Sequence, residues 1–409
     1  MELTIFRGTN QIGGSSLEIK SKDTRIVFDF GIPLEAMDNK ENLIENYKLD
    51  IKGLYQNEQP QIKAIFLTHA HPDHYGLLEL VNPQIPIYAT STTYQILKNI
   101  APLTTKFQTD KLNLHIIDKP IEYGNIRVIA HNIDHSISGA CAYEITNGNK
   151  TILYTGDIRF HGRTYFESLN LSKNIKNLDY LIMEGTTLNR DEQEIVAEDD
   201  LISKFVNEFQ KPKLPLVLFS PQNLDRFITV YKACLKTKRT LIIDPYTCYI
   251  LELYGANNKN IPQFDWNNIK VYFAPNSITK SLEENNLLWK YAKQKISIDE
   301  IVENPKKYVI KGNSKINAKI FERVNKKDLN IIFSMWKGYL DRPNYLDGYR
   351  DIITHIHTSG HAYIKDLQKF VDKIKPKYII PIHTESKNRY QDLFNAEIKL
   401  VEDGETIKL

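Results

Sequence analysis

One segment of the sequence concentrates side chains that could bind metal ions. Residues 68–74 read Thr-His-Ala-His-Pro-Asp-His and follow the apolar run IKAIFLT. His69 and His71 are two positions apart, so an extended backbone points both imidazoles to the same side. Asp73 and His74 follow where the chain turns into a predicted helix, and they can face a second ion. Neutral imidazole with carboxylate is a ligand set typical of zinc, with manganese as the alternative if oxygen ligands dominate.

This segment resembles the signature His-x-His-x-Asp-His of the metallo-β-lactamase superfamily. Taken alone, His135 in IDHSISGA and Asp157 in ILYTGDIRFHG would be ordinary loop residues. Their order and spacing after His69 make them ligand candidates. The resemblance implies that Asp157 is shared by two ions, and that Asp29 in VFDFG orients the ligand loop without binding metal.

Three later motifs resemble the β-CASP nucleases of this superfamily, a group that includes ribonuclease J and the endonuclease of mRNA 3′-end processing. Glu184 in LDYLIMEGTTL fits motif A, His361 in HIHTSGHAYIKDL fits motif B, and His383 in KPKYIIPIHTES fits motif C. The implied fold is α/β: an αββα metallo-β-lactamase sandwich with an inserted β-CASP α/β domain. One departure precedes motif B, where SMWKGYLDRPN replaces the Pro-Gly-Asn-Glu segment often found in ribonuclease J.

The resemblance also implies a ligand set and a mechanism. One Zn²⁺ would be held by His69, His71 and His135, a second by Asp73, His74 and His383, with Asp157 bridging the two. Such a pair of ions activates water for in-line attack on a phosphodiester. The implied catalytic residues are Asp73, Glu184 and His361. His361 would donate a hydrogen bond or a proton to the leaving oxygen, and Glu184 would orient it and keep it protonated.

The composition limits the classes of protein to which this chain can belong. The 409 residues are 42% hydrophobic and 25% charged, which are globular values. No apolar run approaches the roughly 18 residues of a membrane-spanning helix, so we expect no membrane partner. The three cysteines have unrelated spacings, which excludes a disulfide framework and favours a cytoplasmic protein. The net charge of +3 allows a polyanionic partner without requiring one.

A change in the pattern of predicted strands and helices near residue 190 predicts the domain organisation. Short strands dominate the first part, whereas strands and amphipathic helices alternate in the middle, as in a βα insert with a largely parallel sheet. Strand-like segments return near residue 350. We therefore expect a metallo-β-lactamase core formed by residues 1–192 and 350–409, and an inserted cap domain formed by residues 193–349.

The motifs favour nucleic acid as the partner and RNA over DNA, and they allow a homo-oligomer. Dense basic residues at 306–327, including Lys307, Lys311 and Lys315, would contact phosphates if they lined a groove, although a solvated face is the commoner explanation. Trp289, Trp336 and Tyr339 are candidates for base stacking or for core packing.

Two other functional classes remain open. The same metal core could hydrolyse a small molecule such as a cyclic nucleotide, a lactone or a thioester, because fold and metal do not fix the substrate. A non-catalytic nucleic-acid-binding subunit is the third possibility, although the complete ligand set argues against it.

Overall fold

The computed structural model describes residues 1–38, 44–105, 107–190, 194–256 and 258–409. The strands within these ranges are β1 (Glu2–Arg7), β2 (Ser16–Ser21), β3 (Thr24–Phe28), β4 (Ala64–Phe66), β5 (Ile87–Ala89), β6 (Leu114–Ile116), β7 (Ile121–Tyr123), β8 (Ile126–Asn132), β9 (Cys141–Thr146), β10 (Thr151–Tyr154), β11 (Tyr180–Glu184), β12 (Leu214–Leu218), β13 (Thr240–Ile243), β14 (Ile269–Val271), β15 (Tyr308–Lys311), β16 (Leu329–Phe333), β17 (Ile353–His355), β18 (Tyr378–Ile382), β19 (Glu397–Ile398) and β20 (Thr406–Lys408).

The α-helices in the same ranges are α1 (Leu34–Asp38), α2 (Pro72–Tyr75), α3 (Ser91–Asn99), α4 (Ala101–Thr105), α5 (Tyr165–Asn174), α6 (Leu201–Gln210), α7 (Leu224–Lys236), α8 (Pro245–Gly255), α9 (Ser277–Glu284), α10 (Ile298–Glu303), α11 (Ser314–Phe321), α12 (Ile364–Ile374) and α13 (Tyr390–Leu393). Short 3₁₀ turns join several elements, among them Glu198–Asp200 and Lys337–Leu340. None of the helices in the described ranges is long and apolar enough to cross a membrane.

The chain divides into two compact units. The first comprises Met1–Ile195 and Gly360–Leu409, and the second comprises Val196–Ser359. The second unit is therefore inserted in sequence between β11 and β18, which pair as neighbouring parallel strands of the first unit.

The first unit is built around two seven-stranded sheets. Their strand orders are β20-β1-β2-β3-β4-β5-β6 and β19-β18-β11-β10-β9-β8-β7. Alternate residues of each sheet, such as Leu3 and Ile5 of β1 and Tyr143 of β9, meet in one buried apolar core. Helices α5 and α12 cover the outer face of the second sheet through a separate apolar cluster that includes Leu171 and Phe370. Helix α3 packs on β5 and β6 of the first sheet. This arrangement confirms the predicted α/β sandwich.

The second unit has a six-stranded sheet in the order β14-β13-β15-β12-β16-β17, with every pairing parallel. Residues of β12 and β16 are buried throughout, as expected for central strands covered on both faces. The connections that leave the neighbours β12 and β15 run in opposite directions along the sheet. In parallel sheets, ligands bind at the carboxyl edge near such a reversal.

The predicted domain boundaries differ from this division at one end. The boundary at 349/350 places β17 in the core, but Ile353–His355 pairs in parallel with β16 of the second unit. The sequence pattern of this segment could not reveal which strand it pairs with, because an edge strand has the same pattern in either sheet. The other boundary, 192/193, falls within residues 191–193 and lies outside the described residues.

Candidate metal centre

The ligand loop that follows β4 is fixed by backbone hydrogen bonds. Ser15 N–H donates to Asp73 C=O at 3.0 Å, and Phe30 N–H donates to His74 C=O at 2.8 Å. The backbone approaches so closely that a Cβ atom on Gly31 would lie 1.6 Å from the Asp73 carbonyl oxygen. Only glycine fits there, so the sequence around Gly31 is part of what positions the loop.

The remaining candidate ligands follow strands of the second sheet. Asp157 comes shortly after β10, Glu184 is the last residue of β11, and His383 comes directly after β18. These three strands are mutually parallel neighbours, so their carboxyl ends lie at the same edge of the sheet. His135 follows β8 in the same way, which brings a fourth side chain from the same sheet to the ligand loop.

One group of side chains consists of His69, His71, His135 and Asp157, whose ligand atoms all lie within 4.8 Å of one another. His71 Nδ1 is 3.0 Å from His69 Nε2 and 3.2 Å from His135 Nε2. His69 Nε2 is also 3.6 Å from Asp157 Oδ2. Burial lowers the pKa of His69 and of His135 well below the usual value, and lowers the pKa of His71 to about 4. Neutral imidazoles are the form that binds metal.

A second group consists of Asp73, His74, Asp157 and His383, again within 4.8 Å. His383 Nε2 is 3.3 Å from Asp73 Oδ2, and His74 Nε2 is 3.3 Å from Asp157 Oδ2. The buried atoms His74 Nε2 and Asp157 Oδ1 make no hydrogen bond. Against the effect of burial, the nearby imidazoles hold the pKa of Asp157 well below its usual value. Buried polar atoms without a hydrogen bond call for a partner, and imidazole with carboxylate is a ligand set that fits a transition metal.

Asp29 takes up the orienting position that its resemblance implied. Its Oδ2 accepts hydrogen bonds from His74 Nδ1 at 2.8 Å and from the Tyr154 hydroxyl at 2.7 Å. Its Oδ1 accepts from the Thr68 N–H at 2.8 Å. Because Nδ1 of His74 is hydrogen-bonded to Asp29, the ring is oriented with Nε2 towards Asp157. Sequence reasoning missed Tyr154, which reads only as the end of an apolar strand.

Glu184 and His361 form a pair beside the same cluster. Both carboxylate oxygens of Glu184 lie within 3.1 Å of His361 Nδ1. Glu184 also accepts from the Ile158 N–H at 2.8 Å, which fixes the carboxylate. Burial lowers the pKa of His361, but Glu184 and Asp157 outweigh it and raise the pKa above the usual value. His361 Nδ1 also lies 3.9 Å from Asp157 Oδ2.

Thr186 is a second contact that sequence reasoning did not single out. Its hydroxyl lies 2.9 Å from His383 Nδ1, and its N–H donates to Glu184 Oε2 at 3.3 Å. The only signal was its place in the Thr-rich turn after motif A. This one turn therefore supports both His383 and the Glu184–His361 pair.

Within the basic run of the second unit, Lys307 and Lys315 are exposed, whereas Lys311 is not available to contact phosphates. Lys311 is only 2% exposed, and its Nζ lies 3.8 Å from Asp244 Oδ2. Three others pair with neighbouring carboxylates: Lys319 with Glu322, Arg323 with Asp299 and Lys326 with Asp351. Lys311 is a strand residue with partners on both sides, so reversing its charge would disrupt folding. The three candidate aromatics, in contrast, are exposed rather than core residues: Trp289, Trp336 and Tyr339.

Comparisons with known proteins agree with the fold and the cluster. Residues 46–214 match the beta-lactamase superfamily domain, and residues 350–403 match the Zn-dependent metallo-hydrolase RNA specificity domain. The solved structure of a protein of unknown function from Enterococcus faecalis V583 superposes with a TM-score of 0.80 at 24% identity. The match covers 100% of this chain and 99% of that one. This likeness concerns the fold.

Several curated proteins are related in sequence. Ribonuclease J of Mycoplasma pneumoniae is 22% identical over 93% of this chain and 67% of its own length. Ribonuclease J of Helicobacter pylori strain B128 is 23% identical over 100% of this chain and 60% of its own length. Transcription termination factor FttA of Methanothermobacter thermautotrophicus is 23% identical over 61% of this chain and 41% of its own length. The chain thus spans about two-fifths to two-thirds of these relatives.

The sandwich, the buried histidine–aspartate cluster and the matched domains define a metallo-hydrolase of the metallo-β-lactamase type, with residues suited to binding metal. Within that superfamily, the chain is similar in sequence to the proteins named ribonuclease J and to FttA.

Proposed function

We propose that the protein is a metal-dependent ribonuclease that hydrolyses phosphodiester bonds at a dinuclear zinc site. One observation carries the proposal: two histidine-rich groups of candidate ligands share Asp157, and a third group around the same carboxylate contains the Glu184–His361 pair. A hydrolase that attacks phosphorus needs water activation on one side and proton donation on the other. The relatives named ribonuclease J and the matched RNA specificity domain support RNA as the substrate.

The ligand assignment follows the two groups. One ion would be held by His69, His71 and His135, the other by Asp73, His74 and His383, with Asp157 shared between them. When bound, the metal would supply Lewis acidity and a water molecule of lowered pKa. Zinc fits this histidine-rich set best, with manganese as the alternative.

The chain itself would supply the remaining chemistry. His361 engages Glu184 through Nδ1, so Nε2 is the atom that would donate to the leaving oxygen. Glu184 holds the ring in place and favours its protonated form, which a proton donor requires. Asp73, bonded to His383, would fix the second ligand group next to the first. A cytoplasmic location and a homo-oligomer stay predictions.

The experiment combines metal analysis with a substrate panel. We expect about two transition-metal ions per purified chain, because two ligand groups share one carboxylate. The metal-loaded protein should then cleave 5′-labelled single-stranded RNA faster than single-stranded or duplex DNA of the same sequence.

Three outcomes would contradict the proposal. Absence of bound metal after remetallation would overturn the metal centre. Hydrolysis of a lactone, a thioester or a cyclic nucleotide without cleavage of any polynucleotide would favour the small-molecule hydrolase. Nucleic-acid binding without hydrolysis in the fully metallated protein would favour the non-catalytic subunit.

A further inference from the structure

Two aromatic side chains of the second unit are exposed side by side. Trp336 is 50% exposed and Tyr339 is 58% exposed, on the segment that follows β16. Their ring centroids lie 5.4 Å apart with an interplanar angle of 81°. Single exposed apolar residues are ordinary, but adjacent large rings that contact each other form a surface of the kind used for recognition.

The geometry of the turn holds this pair in place. Trp336 precedes the 3₁₀ turn Lys337–Leu340, and the Tyr339 N–H donates to the Trp336 C=O at 3.2 Å. A Cβ atom on Gly338 would lie 2.4 Å from the indole carbons Cζ2 and Cη2 of Trp336. The indole therefore lies directly against the backbone of Gly338, and any larger residue there would displace it. The rings are positioned by local packing although neither enters the core.

The downstream end of the segment is anchored as well. Leu346 belongs to the apolar core of the second unit, and its N–H donates to Asn344 Oδ1 at 2.9 Å. At the upstream end, the His355 Nε2–H donates to the Met335 C=O at 2.9 Å, which ties the start of the segment to the end of β17. Both ends being fixed, the aromatic pair is a preformed surface, which lowers the entropy cost of binding.

Place and charge indicate what this surface binds. The segment leaves the carboxyl end of β16, and ligands of parallel sheets bind at the carboxyl edge. The exposed Lys337 lies between the two aromatic residues in sequence, and the exposed Arg342 follows them, with the exposed Asp341 beside it. Exposed rings interleaved with cations are typical of surfaces on which unpaired bases stack while phosphates contact the charges.

We propose that Trp336 and Tyr339 form a base-stacking platform for single-stranded nucleic acid. The proposal deepens the proposed function and rests on it for the choice of RNA as the natural ligand. Because the rings are nearly perpendicular, one base would stack on the Trp336 indole and a neighbouring base would contact Tyr339. Stacking tolerates any base, so the platform would favour single strands over duplexes without a strong sequence preference.

Trp289 offers a matched control within the same unit. It is 57% exposed and lies near Phe273, with ring centroids 6.3 Å apart. Phe273 follows β14, the edge strand at the far end of the sheet from β17. Trp289 is therefore an equally exposed tryptophan near the opposite edge, and its loss should not affect a strand bound at Trp336.

The test measures binding with metal removed by a chelator, so that cleavage cannot interfere. The chain has three tryptophans, so the double variant Trp266→Phe/Trp289→Phe leaves Trp336 as the only indole fluorophore. A twelve-nucleotide oligouridine should quench its fluorescence saturably, and duplex RNA of equal length should quench it much less. In the otherwise unmodified chain, Trp336→Ala or Tyr339→Ala should weaken oligouridine binding about 5- to 150-fold, by the usual contribution of one stacked base. Trp336→Phe should retain most of the affinity.

The remaining controls separate this proposal from the proposed function. Trp289→Ala should bind oligouridine like the parent chain, and all variants should hydrolyse bis-p-nitrophenyl phosphate equally when metallated. Unchanged binding in both alanine variants would overturn the platform while leaving the ribonuclease intact. An equal loss in Trp289→Ala would overturn it in the same way, because the effect would not be local. If oligouridine quenches the Trp336 fluorescence but the metallated protein cleaves no RNA, the stacking platform is supported and the ribonuclease is rejected. If oligouridine does not quench the Trp336 fluorescence, the platform is rejected, and a protein partner becomes the better explanation of the exposed aromatic pair.

Discussion

Buried charged groups form a cluster in each of the two units, but the hydrogen bonding of the two clusters differs. In the second unit, the guanidinium of Arg226 is completely buried and donates to Glu198 Oε1 at 2.6 Å, Ser334 C=O at 2.7 Å and Thr358 C=O at 3.3 Å. In the first unit, the buried polar atoms His74 Nε2 and Asp157 Oδ1 lie in one cluster without a hydrogen bond. Every bond named in the Arg226 cluster joins a donor to an acceptor, whereas the other cluster leaves two buried polar atoms without a hydrogen bond.

We interpret the Arg226 cluster as structural and the Asp157 cluster as a candidate functional site. A buried ion pair that satisfies its own donors and acceptors contributes to a specific fold and needs nothing more. Converging lone pairs are unfavourable until a cation lies among them. Both clusters contain a carboxylate and a histidine, since His357 Nδ1 lies 3.3 Å from the Arg226 guanidinium. These residue types alone therefore do not distinguish the two clusters. The pairing of donors with acceptors distinguishes the two clusters.

The largest expected effect comes from removing the carboxylate that both ligand groups share. Asp157→Ala should lower hydrolysis about a thousandfold or more, because the metal contributes several kcal/mol to the transition state. It should also reduce the metal content, while circular dichroism stays close to that of the parent because the ligand is on a loop. Elemental analysis and initial rates measure both effects. Full activity in this variant would show that Asp157 is not a ligand of the working site.

Glu198→Ala is the matched change in the satisfied cluster. Leaving Arg226 buried without its carboxylate should lower the free energy of unfolding by about 3–5 kcal/mol, measured by urea denaturation. The folded fraction should keep its full metal content. Loss of metal from folded Glu198→Ala protein would break the distinction between the two clusters.

A smaller effect is expected from Glu184→Gln, which keeps the size of the side chain and removes its charge. In the parent, Glu184 raises the pKa of His361, so the protonated donor persists to higher pH. Activity that needs this proton is lost as the pH rises through that pKa. The amide should lower the pKa and shift the alkaline limb of the kcat profile to lower pH, with a rate loss of roughly 10²-fold. An alkaline limb that does not move would show that His361 is not the proton donor.

The smallest effects concern the support of His74. Asp29→Asn should weaken metal binding about 10- to 100-fold, as is usual for a carboxylate that orients a ligand histidine. Tyr154→Phe removes one of several hydrogen bonds to Asp29 and should cost less. Competition with a chelator of known affinity ranks both against the parent. Equal affinities in all three proteins would mean that His74 is held by the loop alone.

The sequence predicted the parts of the site that share a local signature. His69, His71, Asp73 and His74 lie in one loop, and their spacing alone indicated a metal site. Contacts over long separations were out of reach: Tyr154 bonds to Asp29 across 125 positions, and nothing in the pattern of β10 marks its hydroxyl.

Lys311 shows why a charged surface cannot be predicted from a run of basic residues in the sequence. Its neighbours in sequence are basic, but its strand lies between β13 and β12, so all four residues of β15 are buried. The same lack of partner information misplaced β17. Fold class followed from alternation and length, whereas strand partners depend on the whole sheet.

The insertion of the second unit between two paired strands also sets an order in time. Asp73 and His383 approach within 3.3 Å although 310 positions separate them. A ribosome adds about 5–20 residues per second, so roughly 15 to 60 s pass between the synthesis of the two. During that interval the group of Asp73, His74, Asp157 and His383 lacks one of its members. In the proposed ribonuclease, the nascent chain would therefore stay inert beside the very message that encodes it.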